Sequence, residues 1–249
     1  MLNEHGSQSA AVLGVIPARY GASRFPGKPL ALLWGKPMLQ HVWERASAAP
    51  WIDELVVATD DVHIAKAARD WGATVEMTSP EHASGTDRVA EVARRRPAAE
   101  IVLNLQADEP ELDAEAVGRL AEAMKADSEI QMGTLAHTEE LPERLAAPDV
   151  VKVVVDARGF ALYFSRADIA AGSQGGPVLR HVGVYGFRRD MLVEFSSWSP
   201  GALERAERLE QLRAVERGVK IKVITGARAS AAVDVPEQLA ALEARGPSQ

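Results

Sequence analysis

Short apolar runs alternate with segments of helical periodicity through the first half of this chain, and no other feature limits its fold as strongly. The runs of strand length lie at residues 12–17, 55–58, 74–77 and 101–106. The segments with the spacing of amphipathic helices lie between them, at 38–48, 64–71 and 89–95. A further helix is predicted over 113–125, with Asp113 as its N-cap. Because strands joined through helices pair in parallel, this order predicts an α/β fold, a mostly parallel sheet with helices on both faces.

The pattern changes after about residue 130, where strand-like runs follow one another with fewer helices between them. These runs lie at 132–136, 152–155, 161–164, 182–187 and 221–225. A long amphipathic helix is predicted over 202–218 from the apolar residues along one side, Leu203, Ala206, Leu209, Leu212 and Val215. A last helix begins at Pro236.

These elements indicate one domain over residues 11–245. A smaller sub-region is inserted in it at about 130–200, and it includes a glycine-rich flexible loop, Ala170 to Pro177. Residues 1–10 are predicted to form a disordered polar tail.

The composition excludes several classes of protein. The chain has 249 residues and a net charge of −7 at pH 7, so its surface as a whole repels nucleic acid and anionic membranes. It has no cysteine, which rules out disulfides, thiolate metal sites and cysteine nucleophiles. No apolar run is long enough to span a membrane and no signal-peptide pattern opens the chain, so we expect a cytoplasmic protein. No G-x-G-x-x-G motif follows the first strand, which disfavours an NAD-dependent dehydrogenase.

The stretch "IPARYGASRFPGKPL", residues 16–30, follows the first predicted strand and indicates a phosphate site. It carries the cations Arg19, Arg24 and Lys28 in an otherwise acidic chain. It is not a P-loop, because five residues separate its two glycines and Pro29 stands where a hydroxyl is needed. The alternative is a surface turn with solvated arginines.

Two aspartates are candidate metal ligands. Asp108 follows a buried strand in "LNLQADEPEL", beside Gln106 and Glu109, and Asp234 precedes the last helix in "AAVDVPEQL". Ligands bind at the carboxyl ends of strands in a parallel sheet, and Mg²⁺ prefers one or two carboxylates together with substrate phosphates. Each aspartate taken alone is equally well explained as a turn or helix-capping residue.

The stretch "HASGTDR", residues 82–88, is a further candidate. Ser84, Gly85 and Thr86 offer small polar groups and backbone amides at a helix start, which suit a nucleobase or a ribose. A plain capping sequence explains them equally well.

These stretches, with "GKPMLQHVWERA", "VVATDD", "VKVVVDARGFALYFSRA", "RHVGVYGFRRDML" and "LERAERLEQLR", resemble the 3-deoxy-manno-octulosonate (Kdo) cytidylyltransferases, also called CMP-Kdo synthetases. The likeness runs in the family's order from about residue 15 to residue 239. It implies a Rossmann-like (GT-A-like) nucleotidyltransferase fold with a mixed sheet, and transfer of CMP from CTP to an anionic acceptor with release of pyrophosphate. It also implies a homodimer, with the sub-region at about 130–200 serving acceptor binding and dimerisation.

The resemblance also assigns roles to individual residues. Arg19 and Lys28 grip the triphosphate and, with Asp108, are the catalytic residues, while Asp108 and Asp234 hold Mg²⁺. The implied nucleotide ligands are Pro17, Ala18, Arg19, Ser23, Lys28, Ser84, Gly85, Thr86, Arg88 and Gln106. The implied acceptor ligands are Gln106, His181, Tyr185, Glu210 and Gln211.

The sequence departs from the family at two places. Ala107 stands where the family usually has glycine, and no cation lies between Arg166 and Arg180, where members often carry an arginine for the acceptor's carboxylate. This loss favours a small phosphonate acceptor, similar to phosphonoformate, with Kdo as the alternative. A second alternative is a catalytically silent nucleotide-binding regulatory protein.

Overall fold

The computed structural model describes residues 11–21, 25–139, 145–169, 178–228 and 232–247. Strands of the first half are β1 (Val12–Ala18), β2 (Leu32–Leu33), β3 (Lys36–Pro37), β4 (Glu54–Thr59), β5 (Thr74–Met77) and β6 (Ile101–Asn104). Helices of the first half are α1 (Met38–Ser47), α2 (Val62–Asp70), α3 (Gly85–Arg94) and α4 (Ala114–Ala126). The second half contains β7 (Met132–His137), β8 (Lys152–Val155), β9 (Ala161–Ser165), β10 (Val178–Arg188), α5 (Arg189–Phe195), α6 (Ala202–Glu207), α7 (Leu212–Glu216), β11 (Ile221–Ile224) and α8 (Pro236–Arg245).

One large mixed sheet organises the described residues. Its strand order is β11-β7-β10-β6-β1-β4-β5, and β8 and β9 extend it beside β10. β1 pairs in parallel with β4 and β6, whereas β10 runs antiparallel to both β6 and β7. The predicted α/β fold with a mostly parallel sheet is therefore confirmed, and the antiparallel β10 makes the sheet mixed.

Helices cover both faces of the sheet, because successive side chains of β1 point to opposite faces and are buried on each. Val12 and Ile16 pack into one core cluster with residues of α1, α2 and α4. Leu13 and Val15 point to the other face, into a cluster with residues of α3, α5 and α7. A strand buried on both faces needs a continuous apolar run, and this run predicts β1 from the sequence.

The helix starts follow from local capping. The side chain of Asp113 accepts from the Ala116 N–H over 3.2 Å at the start of α4, as predicted, and Asp61 caps α2 in the same way. Ser84 and Asp87 form a capping box that starts α3 at Gly85, four residues before the start that the periodicity predicts.

The predicted long helix over 202–218 is wrong. The chain forms two short helices, α6 and α7, because Arg208 takes a left-handed backbone conformation with φ of 55°. Arg213 Nε and Nη2 donate to the two carboxylate oxygens of Glu204 over 2.7 and 2.6 Å and so tie the helices together. In one continuous helix these two residues would project from opposite sides.

The second half does not stand apart from the sheet. β7 and β10 lie near its centre, and only the antiparallel pair of β8 and β9 extends beyond the main strand order. The division into an acceptor and dimerisation sub-region at 130–200 remains a prediction. The predicted tail at 1–10 and the loop Ala170 to Pro177 lie outside the described residues. In the described part of the chain, no helix has both the length and the apolar character to cross a membrane.

Candidate active site

The loop after β1 carries the cations that the sequence singled out. The exposed Arg19 follows the end of β1 at the carboxyl edge of the sheet. Gly27 takes a left-handed conformation with φ of 73°, and its N–H donates to the carbonyl of Tyr20 over 2.9 Å. This hydrogen bond closes the loop, and the short 3-10 helix Lys28–Leu30 begins at the next residue. The predicted nucleotide ligand Ser23 lies outside the described residues.

Lys28 joins the two aspartates that are predicted to hold metal. Its Nζ donates to Asp108 Oδ2 over 2.7 Å and to the carbonyl of Val233 over 2.9 Å, and it lies 3.6 Å from Asp234 Oδ1. The N–H of Val233 in turn donates to the carbonyl of Asp108 over 2.9 Å. The fold therefore places charged groups from the first loop, the end of β6 and the C-terminal segment in one cluster.

Both aspartates keep accessible oxygens. The side chain of Asp108 is 26% exposed and that of Asp234 is 42% exposed. Among the described residues, no three histidine, aspartate or glutamate side chains are grouped so that they hold a metal on their own. Two carboxylates suffice for Mg²⁺ when phosphates and water complete its coordination, so the donor set fits the predicted ion.

A cavity of about 270 Å³ opens beside this cluster, and we call it the first cavity. Its lining consists of Pro17, Ala18, Arg19, Lys28, Pro29, His82, Ser84, Gly85, Arg88, Gln106, Ala107, Asp108 and Asp234. Apart from Thr86, every predicted nucleotide ligand that the structure describes lies in this lining. His82 and Pro29 were not predicted, although His82 begins the "HASGTDR" stretch and is held by a hydrogen bond to Glu91.

The start of α3 forms one wall of the first cavity. The Oγ of Ser84 accepts from the Asp87 N–H over 3.1 Å, so the capping explanation holds for this residue in addition to its place in the lining. A Cβ at Gly85 would come 3.3 Å from Pro17 Cγ, and the glycine thus lets the helix start lie close to β1. Thr86 turns away, accepting from Asn104 Nδ2 over 3.2 Å and donating to Glu210.

Arg88 lies almost completely buried at the base of the first cavity. Its guanidinium is 3.1 Å from Asp60 Oδ1, and it donates to the hydroxyl of Thr78. Burial lowers the pKa of Arg88, and the negative charge of Asp60 opposes that change. The ion pair holds this guanidinium against the end of β4.

A second cavity of about 290 Å³ adjoins the first, and we call it the second cavity. Its lining consists of Gly85, Thr86, Gln106, Asp108, Glu109, Val151, His181, Gly183, Tyr185, Leu209, Glu210 and Gln211. All of the predicted acceptor ligands lie in it. The two cavities share Gly85, Gln106 and Asp108, so they meet beside the predicted metal ligand.

His181 is held as a neutral imidazole. The hydroxyl of Thr134 donates to the carbonyl of Val184 over 2.7 Å, so its oxygen accepts from His181 Nε2 over 2.9 Å. Burial among neighbours such as Phe164 and Tyr185 lowers the pKa of His181 to about 3.

Acidic side chains surround the second cavity. Burial raises the pKa of Glu109 to about 7, the charge of Asp108 adds to this effect, and the N–H of Gly183 opposes it. Burial likewise raises the pKa of Glu210, against its hydrogen bond from Thr86. No lysine or arginine lines this cavity in the part of the chain that the structure describes.

Glu109 also lines the second cavity, although the sequence assigns it no ligand role. It appears in "QADEP" beside Asp108, and that proximity was the only signal. Its burial depends on β10, which lies far from it in the sequence.

The sequence matches the family model for cytidylyltransferases over residues 13–221. It is 47% identical over 231 residues to the 3-deoxy-manno-octulosonate cytidylyltransferase of Solibacter usitatus, covering 92% of this chain and 91% of the relative. The chain belongs to this cytidylyltransferase family. A relative of the same name from an Anaeromyxobacter species is 48% identical over 242 residues, covering 94% of this chain and 98% of the relative. The resemblance seen in the sequence is thus confirmed, and this member of the family is a nucleotidyltransferase.

Solved structures agree with this assignment. A structure of CMP:2-keto-3-deoxy-manno-octonic acid synthetase complexed with CTP matches with a TM-score of 0.89 and 41% identity, covering 95% of this chain and 98% of that one. A 4-diphosphocytidyl-2C-methyl-D-erythritol synthase from Anaerococcus prevotii shares the fold alone, with a TM-score of 0.65 at 13% identity. The Rossmann-like nucleotidyltransferase fold is confirmed.

Proposed function

We propose that this cytidylyltransferase transfers CMP from CTP to Kdo and releases pyrophosphate. The observation that carries the proposal is that the first and second cavities meet at Asp108, one lined by the predicted nucleotide ligands and the other by the predicted acceptor ligands. A nucleotide in the first cavity and an acceptor in the second would be adjacent at the point of transfer. The names of the relatives, and the CTP in the solved structure of one of them, support this pair of substrates.

The preference for a phosphonate acceptor is not supported. It rested on the missing cation between Arg166 and Arg180, but the charges of both flanking arginines act on the second cavity. Burial raises the pKa of both Glu109 and Tyr185, and the positive charges of Arg180 and Arg166 oppose that rise at Glu109 and Tyr185 respectively. The carboxylates in the lining also disfavour a small dianion and suit an acceptor rich in hydroxyl groups. The comparisons accordingly favour Kdo, the alternative acceptor.

Different residues of the first cavity have different roles in the proposed transfer. Arg19 and Lys28 supply positive charge where the triphosphate of CTP would lie, and this charge stabilises the pyrophosphate as it departs. Asp108 and Asp234 would hold Mg²⁺, which when bound neutralises phosphate charge and orients the reacting groups. In the transfer, an acceptor hydroxyl oxygen bonds to the α-phosphorus, the bond from that phosphorus to the β-phosphate oxygen breaks, and the hydroxyl proton is released.

Pyrophosphate release, measured in the presence of CTP and Mg²⁺, tests the proposal. Kdo, a sialic acid and phosphonoformate are supplied as acceptors in separate reactions. We expect turnover with Kdo. Turnover with phosphonoformate or the sialic acid alone would overturn the proposed acceptor, and no turnover with any of the three would overturn the proposed activity.

Lys28→Met tests the part assigned to the first cavity. Losing the ammonium that faces both aspartates should lower kcat/KM for CTP at least about 100-fold. Lys66→Met is the matched control, since Lys66 is exposed and pairs along α2 with Asp70, 2.7 Å away. An unchanged kcat/KM in Lys28→Met would contradict the role of Lys28.

A further inference from the structure

Two buried polar atoms of residues that line the second cavity have no hydrogen-bond partner among the described residues. They are Glu109 Oε2 and Gln211 Nε2, and their residues are only 5% and 3% exposed. A buried polar group without a partner destabilises the protein unless a ligand or water satisfies it. Both residues line the cavity in which the acceptor is proposed to bind, so the acceptor is the natural partner for these atoms.

The position of Glu109 is set by an irregularity in β10. The pairing of β10 with β7 shifts register between Val182 and Tyr185, and Gly183 lies in this bulge. Its N–H donates to Glu109 Oε1 over 3.2 Å. A Cβ at Gly183 would come 3.0 Å from the same oxygen, so a larger residue there would require the carboxyl group to shift by a few tenths of an ångström. One oxygen of Glu109 is therefore anchored, and the other remains for a ligand.

The charges in the second cavity determine which kind of ligand atom can form a hydrogen bond with Glu109 Oε2. Asp108 and Glu210 lie in the same lining, and they repel a carboxylate or phosphonate oxygen at this point. A hydroxyl group both donates and accepts hydrogen bonds, so it satisfies Oε2 whether or not Glu109 carries a proton.

We propose that Glu109 is a specificity-determining residue whose Oε2 hydrogen-bonds a hydroxyl group of a polyhydroxylated acceptor. The inference rests on the proposed function, because it requires an acceptor of this class in the second cavity. Gln211 Nε2 offers a donor in the same cavity for another oxygen of the acceptor. Glu109 thereby distinguishes a sugar acid from a small acid that lacks hydroxyls.

Glu109→Met tests the inference, because methionine has a similar length and no oxygen. We expect KM for Kdo to rise at least tenfold, while KM for CTP and the Mg²⁺ concentration for half-maximal activity change less than twofold. Glu76→Met is the matched control: the side chain of Glu76 is also mostly buried, but it pairs with Arg95 and Arg96 beside β5 and lies outside both cavities. Thermal melting of both variants checks that they are folded.

Kdo analogues that each lack one hydroxyl separate a direct contact from a general disturbance. With the wild-type enzyme, one analogue should have a KM raised about as much as Glu109→Met raises it for Kdo. With Glu109→Met, that analogue and Kdo should have equal KM values within twofold. If every deoxy analogue loses the same factor in both enzymes, the inference is wrong.

Gly183→Ala provides a second test should Glu109→Met not fold. The added methyl displaces Glu109, and KM for Kdo should rise severalfold with KM for CTP unchanged. An unchanged KM for Kdo in this variant would overturn the inference. A wild-type enzyme that does not use Kdo would instead refute the proposed function, so the two failures are distinguishable.

Discussion

At the scale of single residues, the fold places groups of opposite charge close together in the site. Lys28 sits against Asp108, with Asp234 close by, in the place where a metal and a triphosphate are proposed to bind. Around the second cavity, burial keeps His181 neutral and disfavours the charged form of Glu109. Each group is therefore arranged for a ligand, and this arrangement carries a free-energy cost in its absence.

His181 makes stability depend on pH. Its pKa is about 3 in the folded chain, against an ordinary value of 6.5, so the unfolded chain binds the extra proton between these values. This contribution to stability is present above pH 6.5 and is lost as the pH falls toward 3. At pH 5 the loss from this group is about 2 kcal/mol relative to pH 8.

Denaturant unfolding at pH 5 and pH 8 measures this difference. From pH 8 to pH 5 the free energy of unfolding should fall in both proteins, but by ~2 kcal/mol less in His181→Gln than in the wild type. His63→Gln is the control, because His63 is exposed on α2 and lies outside both cavities. Equal pH dependence in the wild type and His181→Gln would contradict the lowered pKa of His181 in the folded chain.

At the scale of elements, the sequence predicts best where one local rule decides the structure. β1 is predicted because burial on both faces requires a continuous apolar run, and α4 because Asp113 caps it. The break between α6 and α7 escapes such rules. Leu209 in this break is buried, and Glu210 accepts a hydrogen bond from Thr86, a residue distant in the sequence.

The same limit applies to the site. Motif residues such as Lys28 and Asp108 stand out because charged and glycine-rich stretches follow apolar strands. Glu109 does not, since its unpartnered oxygen arises from the bulge at Gly183 on a distant strand.

The left-handed conformation of Arg208 gives a prediction at the element scale. Residues with a Cβ are strained there by about 1–2 kcal/mol, whereas glycine is not. Arg208 is exposed, so Arg208→Gly should raise the free energy of unfolding by about 0.5–1 kcal/mol and leave KM for the acceptor within twofold. Denaturant unfolding and steady-state kinetics measure the two quantities.

Arg205 offers the opposite case for comparison. It is also exposed but lies within α6, so Arg205→Gly should destabilise the protein by about 1 kcal/mol. If both glycine variants are destabilised alike, the left-handed conformation of Arg208 carries no strain that glycine relieves.

At the scale of the whole molecule, the C-terminal segment completes the first cavity from outside the main sheet. Val233 and Leu242 form a small apolar cluster with Leu33 and Met38, separate from the two clusters on the sheet. Next to Val233, Asp234 contributes its carboxylate to the first cavity. The proposed metal site therefore depends on docking of α8 as much as on the sheet.

Leu242→Ala should separate docking of α8 from folding of the sheet. Removing this side chain, which is 4% exposed, weakens the small cluster and raises the population in which α8 and Asp234 leave the site. We expect faster amide hydrogen exchange confined to residues 233–245 and a higher Mg²⁺ concentration for half-maximal activity.

Leu192→Ala, in the larger cluster of α5, should instead lower the global stability by about 2–4 kcal/mol and leave the Mg²⁺ requirement of the folded enzyme unchanged. Faster exchange throughout the sheet in Leu242→Ala would mean that α8 and the sheet unfold as one unit.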